Sequence, residues 1–256
     1  MKKGLLLLGV MASMAMAGNV RVAIAANMSY AMEALQQRFE TLYPQTKLEV
    51  MIGSSGKLAA QASRGAPYDL FLSANMKYPQ RLFESGIAVT KPVVYAEGAL
   101  ALLCRKKCDL SKGLALLQEA CISKIAIANP KTAPYGAAAV EALKKANLYT
   151  VVKTKFVYGE SISQTVTYAT KIADAGLIAK SALFSTAMRR FKKDRDWVDV
   201  DTKLYRPIAQ GMVVLKHGKG NSEVQCLYDF LQSREAEKIL HAYGYRVGTQ
   251  EAEQDE

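Results

Sequence analysis

The chain is poor in the residues that hydrolytic and metal-dependent catalysis most often use. Its 256 residues include only two histidines and four cysteines. His217 and His241 lie far from the cysteines, and the spacing of Cys104, Cys108 and Cys121 matches no standard zinc pattern. The sequence also has no Gly-x-Ser-x-Gly elbow and no phosphate-binding P-loop. These absences argue against a hydrolase and against a site for a bare metal cation.

Long hydrophobic runs are missing beyond the N-terminus. Residues 1–17 have the layout of a cleavable secretory signal peptide, because Lys2 and Lys3 precede an apolar run at 5–11 and small residues precede Gly18. The run is too short to span a bilayer comfortably. We therefore expect cleavage near Ala17 and export to the periplasm.

Acidic residues are scarce relative to basic ones. Of the 34 lysines and arginines, two lie in the signal, so 32 basic residues stand against 23 acidic ones in the mature chain, a net charge of +9. A basic surface suits an anionic ligand, a nucleic acid or a lipid surface. Export argues against nucleic acid as the partner.

A repeated strand-then-helix pattern follows the signal. Short apolar strands alternate with amphipathic helices from residue 19 to residue 184, and a long apolar strand at 208–215 and two helices close the chain. This alternation predicts parallel sheets covered by helices on both faces. Because no Gly- or Pro-rich linker divides the chain, we expect segments near 95–104 and 205–214 to pass between two lobes. The acidic end at 251–256 is predicted to be a solvated tail.

Four strand-to-helix junctions share short polar loops. The first turn of a helix has free N–H groups and a partial positive charge, so it binds anions without a cationic side chain. In an open α/β sheet such junctions meet at the carboxyl ends of the strands. One serine or asparagine at a helix start is usually an N-cap, but four such loops in one chain predict an anion site. The loops are Ala-Ala-Asn-Met-Ser at 25–29, Gly-Ser-Ser-Gly-Lys at 53–57, Ala-Pro-Tyr-Gly at 133–136 and Gly-Glu-Ser-Ile-Ser at 159–163.

The chemistry of these loops indicates the kind of anion. Phosphate keeps a proton at neutral pH and needs an acceptor in its site, whereas a fully deprotonated dianion needs donors only. Glu160 is the acid in the four loops. The loops therefore favour molybdate, tungstate or sulfate over phosphate, with Asn27 and Ser55 predicted to donate directly through their side chains.

In their order along the chain, these motifs resemble the periplasmic molybdate-binding proteins of ABC transporters. The resemblance covers nearly the whole mature chain. It rests on residues 25–32, 53–58, 65–74, 129–130, 133–136 and 159–165, continuing to Tyr205, Pro207 and Ile208. Each motif alone is weak, but the ordered set is specific.

The resemblance implies a type II periplasmic binding protein fold of class α/β. Each of its two lobes would be a mostly parallel sheet flanked by helices. We place lobe I at residues 18–98 and 206–250 and lobe II at 99–205. The resemblance also implies a monomeric binding protein, not an enzyme, which uses no cofactor, takes molybdate or tungstate as its ligand and meets an inner-membrane ABC permease as its partner.

The resemblance also implies the residues that contact the ligand. Asn27 and Ser55 look like the side chains that the first lobe supplies, and Tyr135 and Ile162 look like positions that donate backbone N–H groups. Three neighbours are predicted to support them: Ala26, Ser54 and Ser161.

Two alternatives stay open at this stage. A sulfate-binding or other oxyanion-binding protein of the same fold would share these features, and an exported hydrolase would need a histidine base near the four loops. Some members of the family also place a ligand-contacting tyrosine after the strand at 177–178, where this chain has Ala179. We expect that aromatic role to pass to Tyr135.

Overall fold

The computed structural model describes residues 18–247. The predicted signal peptide at 1–17 and the predicted acidic tail at 251–256 lie outside the described residues. Within 18–247, no helix has the length and hydropathy that a bilayer crossing would require.

Strands and helices alternate along the chain, as the hydrophobic pattern predicts. The first series is β1 (Gly18–Ala25), α1 (Ser29–Leu42), β2 (Thr46–Gly53), α2 (Ser55–Ser63), β3 (Leu70–Ser73), α3 (Lys77–Glu84) and β4 (Val93–Gly98). The second series is β5 (Leu100–Cys104), β6 (Ile125–Ala128), α4 (Pro134–Lys145), α5 (Tyr149–Val152), β7 (Phe156–Gly159), α6 (Ile162–Lys171), β8 (Ala175–Ala179) and β9 (Trp197–Asp199). The chain then adds β10 (Ile208–Val214), α7 (Ser222–Phe230) and α8 (Arg234–Ala242).

The strands of the described residues form two five-stranded sheets. Their orders are β2-β1-β3-β10-β4 and β7-β6-β8-β5-β9. Each sheet has two parallel and two antiparallel pairings, so the prediction of mostly parallel sheets is wrong in this detail. The antiparallel pairings all involve β10 or β5. These two strands follow a passage from one sheet to the other instead of a helix that covers the sheet.

The chain passes twice between the sheets. One passage runs from β4 to β5 through Ala99, and the other covers the residues between β9 and β10. We call the sheet that contains β1, with its helices, the first lobe, and the sheet that contains β6, with its helices, the second lobe. The exact boundaries at residues 98, 205 and 250 stay a prediction.

Helices cover both faces of the first sheet, and side chains of successive strand residues therefore enter different cores. In β1, Val22 and Ile24 pack beneath α1, α7 and α8, whereas Ala23 packs against α2 and α3. In β5, Leu102 and Leu103 divide in the same way between the two cores of the second lobe. Burial on both faces explains why these strands read as unbroken apolar runs.

Two strands differ from the hydrophobic pattern. β4 and β9 are not predicted as strands, because β4 lies at a sheet edge with Val94 exposed and β9 has only three residues. Helix α3 begins at Lys77 and has Pro79 as its third residue. Proline fits the first turn of a helix, where an N–H group would have no partner.

One disulfide links Cys104 to Cys108 in the second lobe. The sequence predicts a bridge among Cys104, Cys108 and Cys121 and leaves the pairing open, since export permits disulfides. Cys121 is an exposed free thiol, and Cys226 is a partly buried one.

Asp174 connects three segments of the second lobe. Its Oδ2 atom accepts hydrogen bonds from the Ser123 N–H at 2.8 Å, the Ser123 hydroxyl at 2.7 Å and the Lys124 N–H at 3.0 Å. Its Oδ1 atom lies 3.1 Å from Lys106 Nζ. Burial raises the pKa of Asp174, but these hydrogen bonds lower it by more, so the pKa lies below its ordinary value. Asp174 is therefore a carboxylate that stabilises the folded lobe.

We expect Asp174→Asn to lower the free energy of unfolding by about 1–3 kcal/mol at pH 7, because it removes the negative charge from the acceptor of three hydrogen bonds and from the ion pair with Lys106. A carboxyl group whose pKa is lowered by folding stabilises the protein above its unfolded pKa of about 3.9 and loses that effect as the pH falls. The difference from wild type should therefore shrink below about pH 4. Urea unfolding at pH 7 and pH 3.5 measures this, with the exposed Asp229→Asn as the control. Equal stability of the two variants at pH 7 would contradict the assignment.

Candidate anion-binding site

The four helix starts singled out by the sequence meet between the two lobes. The loops after β1 and β2 lead into α1 and α2, and the loops after β6 and β7 lead into α4 and α6. Each pair of strands is parallel and adjacent, so their carboxyl ends lie side by side. One cavity is lined by Ala25, Ala26, Asn27, Ser54, Ser55, Ala74, Ala133, Pro134, Tyr135 and Ile162.

The cavity is small and buried. About 10 Å³ of it is open to the centre of a water molecule. Asn27, Ser55, Tyr135 and Ile162 are each at most 3 % exposed. The structure therefore brings all four predicted ligand residues around one space from which bulk water is excluded. Their contact with a ligand stays a prediction.

Five backbone N–H groups at this cavity have no acceptor within residues 18–247. They belong to Asn27, Ser54, Ser55, Tyr135 and Ile162. The last three stand at the first or second residue of a helix, where an N–H group has no helical carbonyl one turn earlier. The partial positive charge of three helix starts adds to these free donors. The backbone alone thus makes the cavity favourable for an anion.

The Ser55 hydroxyl is oriented by the neighbouring loop. The Ala74 N–H donates to Ser55 Oγ at 2.9 Å. Within the described part of the chain, the hydroxyl proton itself has no acceptor, and Ser55 lines the cavity. Ser55 can therefore offer an anion both its hydroxyl and its backbone N–H.

Asn27 is buried, but its side chain does not donate into the cavity. Its Nδ2 atom donates to Gln210 Oε1 and to the Tyr245 hydroxyl, each at 2.8 Å, which uses both amide hydrogens. Gln210 Nε2 donates to the Ile208 carbonyl, so Gln210 Oε1 must be the acceptor. The expectation that the Asn27 side chain donates directly is therefore wrong. Its backbone N–H is the group that remains available.

Tyr135 places its hydroxyl beside Asn27 and at the passage between the lobes. Among the described residues, neither the Tyr135 hydroxyl nor Asn27 Oδ1 has a partner at hydrogen-bonding geometry. Burial raises the pKa of Tyr135 well above its ordinary value, and the nearby Asn27 side chain lowers it by a smaller amount. Gly98 makes room for this hydroxyl, because a Cβ atom there would lie 2.0 Å from the hydroxyl oxygen. The hydroxyl therefore stays protonated at neutral pH.

The three predicted supporting residues have different roles. Ser54 and Ala26 line the cavity, but the Ala26 N–H already donates to the Gly53 carbonyl at 2.9 Å. Ser161 is not among the lining residues. Its hydroxyl caps α6 by accepting from the Gln164 N–H at 3.2 Å. Ser161 is thus a helix cap at the start of α6, and its predicted supporting role stays a prediction.

Charged side chains are absent from the cavity lining of the described residues. Glu160, the acid in the four loops, is exposed, and so is Lys57 on α2. The positive potential of the cavity therefore comes from backbone N–H groups and helix starts.

Sequence reasoning missed three contributors to the site. Ala74 orients Ser55, and Gln210 and Tyr245 hold the Asn27 side chain. Ala74 directly follows the apolar strand β3. This position at the carboxyl end of a strand could have identified it as a site residue. Gln210 and Tyr245 come from the last fifth of the chain, and no local pattern connects them to Asn27.

The two lobes are in contact beside the cavity. The Gly56 N–H donates to the Thr132 carbonyl at 3.0 Å, and the Tyr78 hydroxyl donates to the Lys131 carbonyl at 3.3 Å. Both bonds run from the first lobe to the second. Helix α2 and the loop before α4 therefore close one side of the cavity.

Comparison with known proteins bears on what the cavity holds. The family model of bacterial extracellular solute-binding proteins matches residues 20–246. The molybdate-binding protein of Azotobacter vinelandii is 36% identical over 239 residues, which is 93% of this chain and 93% of the relative. The molybdate-binding protein of Rhodobacter capsulatus is 35% identical over 234 residues, which is 90% of this chain and 89% of the relative.

A solved structure also matches this chain in its fold. The periplasmic molybdate-binding protein of Azotobacter vinelandii matches with a TM-score of 0.82 at 28% sequence identity. The match covers 90% of this chain and 100% of that protein. The overall fold is therefore common to both molecules.

Proposed function

Because the chain belongs to the family of bacterial extracellular solute-binding proteins, we propose that it captures molybdate or tungstate between its lobes and delivers the ion to an ABC permease of the inner membrane. In this proposal the protein works as a periplasmic monomer. It binds its ligand without a cofactor and without a catalytic step.

The observation that carries the proposal is the convergence of uncharged donors from both lobes. Asn27, Ser54 and Ser55 offer N–H groups from the first lobe, Tyr135 and Ile162 offer them from the second, and the Ser55 hydroxyl adds a sixth donor. A tetrahedral oxyanion presents acceptors in four directions, so donors on opposite walls can bind it together. Such bridging stabilises the closed state relative to the open one.

The donor chemistry supports a fully deprotonated dianion. Molybdate and tungstate carry two negative charges and no proton at neutral pH, so every ligand oxygen can accept a hydrogen bond. Hydrogen phosphate would bring a proton to a site that offers only donors. Sulfate has the same charge but is smaller, so we expect donors fixed on the two walls to fit molybdate and tungstate better.

Membership of the solute-binding family supports delivery to a permease. The open protein would capture the ion, and the donors of both lobes would then hold the closed shape. A permease that recognises the closed shape would receive only loaded protein. Opening of the lobes at the permease would release the ion.

Titration calorimetry of the mature protein with four sodium salts tests the ligand. We expect molybdate and tungstate to bind at one site per chain with sub-micromolar affinity. Sulfate and phosphate should bind at least about tenfold more weakly, the scale on which a binding site discriminates between ligands of similar shape.

The outcomes separate the parts of the proposal. If sulfate bound most tightly, the choice of ligand would be wrong while the anion site would stand. If none of the four ions bound, the proposed function itself would fail.

A further inference from the structure

The backbone carbonyl of Asn27 is a buried acceptor that both lobes use. The Ser181 hydroxyl donates to it at 3.1 Å, and the Tyr245 hydroxyl donates to it at 2.9 Å. Tyr245 packs in the core of the first lobe, whereas Ser181 follows β8 in the second lobe. The Ser181 bond therefore crosses between the lobes, and the Tyr245 bond does not.

We infer that Ser181 is a positioning residue whose hydroxyl holds the lobes closed by bonding to the Asn27 carbonyl, without touching the ligand. This inference rests on the proposed function, because it concerns the closed state that the ligand stabilises. Ser181 is 3 % exposed and is not among the residues that line the cavity.

A backbone hydrogen bond fixes the segment that carries Ser181. The neighbouring Lys180 N–H donates to the Ala99 carbonyl at 2.9 Å, and Ala99 is the residue that joins β4 to β5. The segment that carries Ser181 is thus fixed to one of the two passages between the lobes. From there the Ser181 hydroxyl reaches across the boundary between the lobes to the Asn27 carbonyl.

The loop at Asn27, whose carbonyl accepts the hydrogen bond, is also held in place. Both amide hydrogens of Asn27 are bonded within the first lobe, to Gln210 and Tyr245. The loop that presents the Asn27 N–H to the cavity therefore moves with the first lobe. When Ser181 bonds to this loop, it connects the second lobe directly to a group that faces the anion.

The energetic consequence is a shift in the balance between open and closed protein. In the open state water satisfies the Ser181 hydroxyl and the Asn27 carbonyl, so the cross-lobe bond adds only the modest net effect of one buried hydrogen bond. That effect corresponds to about three- to tenfold in the closed-to-open ratio. Apparent affinity changes by the same factor when the unliganded protein is mostly open.

The test compares Ser181→Ala with Ser185→Ala. Ser185 lies four residues further on, and its hydroxyl donates to the Ala182 carbonyl at 2.7 Å, within the second lobe. We expect Ser181→Ala to weaken sodium molybdate binding about three- to tenfold, with a faster dissociation rate and an unchanged association rate. Ser185→Ala should match wild type. Calorimetry, stopped-flow kinetics and the melting temperature of the ligand-free proteins supply the readouts.

Two results would overturn the inference. One is equal molybdate affinity in the two variants. The other is a drop in the ligand-free melting temperature for Ser181→Ala alone, which would assign Ser181 to the stability of its own lobe. Failure of the wild-type protein to bind molybdate would instead refute the proposed function, so the two failures are distinguishable.

Discussion

The double variant Asn27→Ala/Ser55→Ala is expected to bind molybdate at least about a hundredfold more weakly than wild type. Loss of the Ser55 hydroxyl removes one donor to a charged ligand, which contributes about 1.5–3 kcal/mol. Loss of the Asn27 amide leaves Gln210 Oε1 without its donor and removes one of the two hydrogen bonds between Tyr245 and the loop that presents the Asn27 N–H. The second effect adds about 1–3 kcal/mol.

Calorimetry with sodium molybdate measures this loss, and the single variants separate its two parts. A matched control is Asn19→Ala/Ser63→Ala, which removes the same residue types from the exposed ends of β1 and α2. The control should bind like wild type. An unchanged affinity in the double variant would show that the anion binds elsewhere.

We expect Gly56→Ala to weaken molybdate binding without lowering the stability of the ligand-free protein. Gly56 is the second residue of α2, and a Cβ atom there would lie 3.0 Å from the Thr132 carbonyl oxygen and 2.7 Å from the Tyr78 hydroxyl oxygen. Thr132 belongs to the second lobe, so the added methyl group opposes closure. Overpacking of this kind costs about 1–3 kcal/mol. We expect molybdate affinity to fall on the order of tenfold to a hundredfold.

The same substitution should not destabilise the ligand-free protein. Alanine is a better helix residue than glycine by about 0.5–1 kcal/mol. Opening of the lobes moves Thr132 away and releases the Tyr78 hydroxyl from the Lys131 carbonyl, so this side chain can turn away from the methyl group. The melting temperature without ligand should therefore stay the same or rise, while the stabilisation by molybdate falls. Lys57→Ala, at the next and exposed position of α2, is the control. A lower ligand-free melting temperature with unchanged affinity would contradict this view.

Much of the architecture could be predicted because burial on both faces leaves a strong pattern. β1, β5 and β10 are apolar runs, and each predicted helix start carries small or polar residues. β4 could not be predicted, since an edge strand with one exposed face has no such run. The antiparallel pairing of β5 and β10 depends on the direction in which the chain enters each sheet, and residue composition does not encode that direction.

The candidate site was predictable to the level of residues but not of atoms. Free N–H groups follow from a helix start, so Ser55, Tyr135 and Ile162 could be named from local sequence. The use of the Asn27 amide could not, because its partners Gln210 and Tyr245 are about two hundred residues away along the chain. Long-range hydrogen bonds of this kind depend on the assembled lobes, and a single sequence shows only the polar residues that take part.

The position of β10 between β3 and β4 has a consequence for the order in which the protein can fold. Every strand of the second sheet lies between residues 100 and 199, so that lobe can form before the rest of the chain has emerged. The first sheet cannot, because β4 joins it through β10, which begins at Ile208. In a chain that emerges from its N-terminus, the second lobe can therefore be complete while the first lobe still lacks β10. A chain halted before Ile208 would therefore present an unfinished sheet edge to chaperones and proteases.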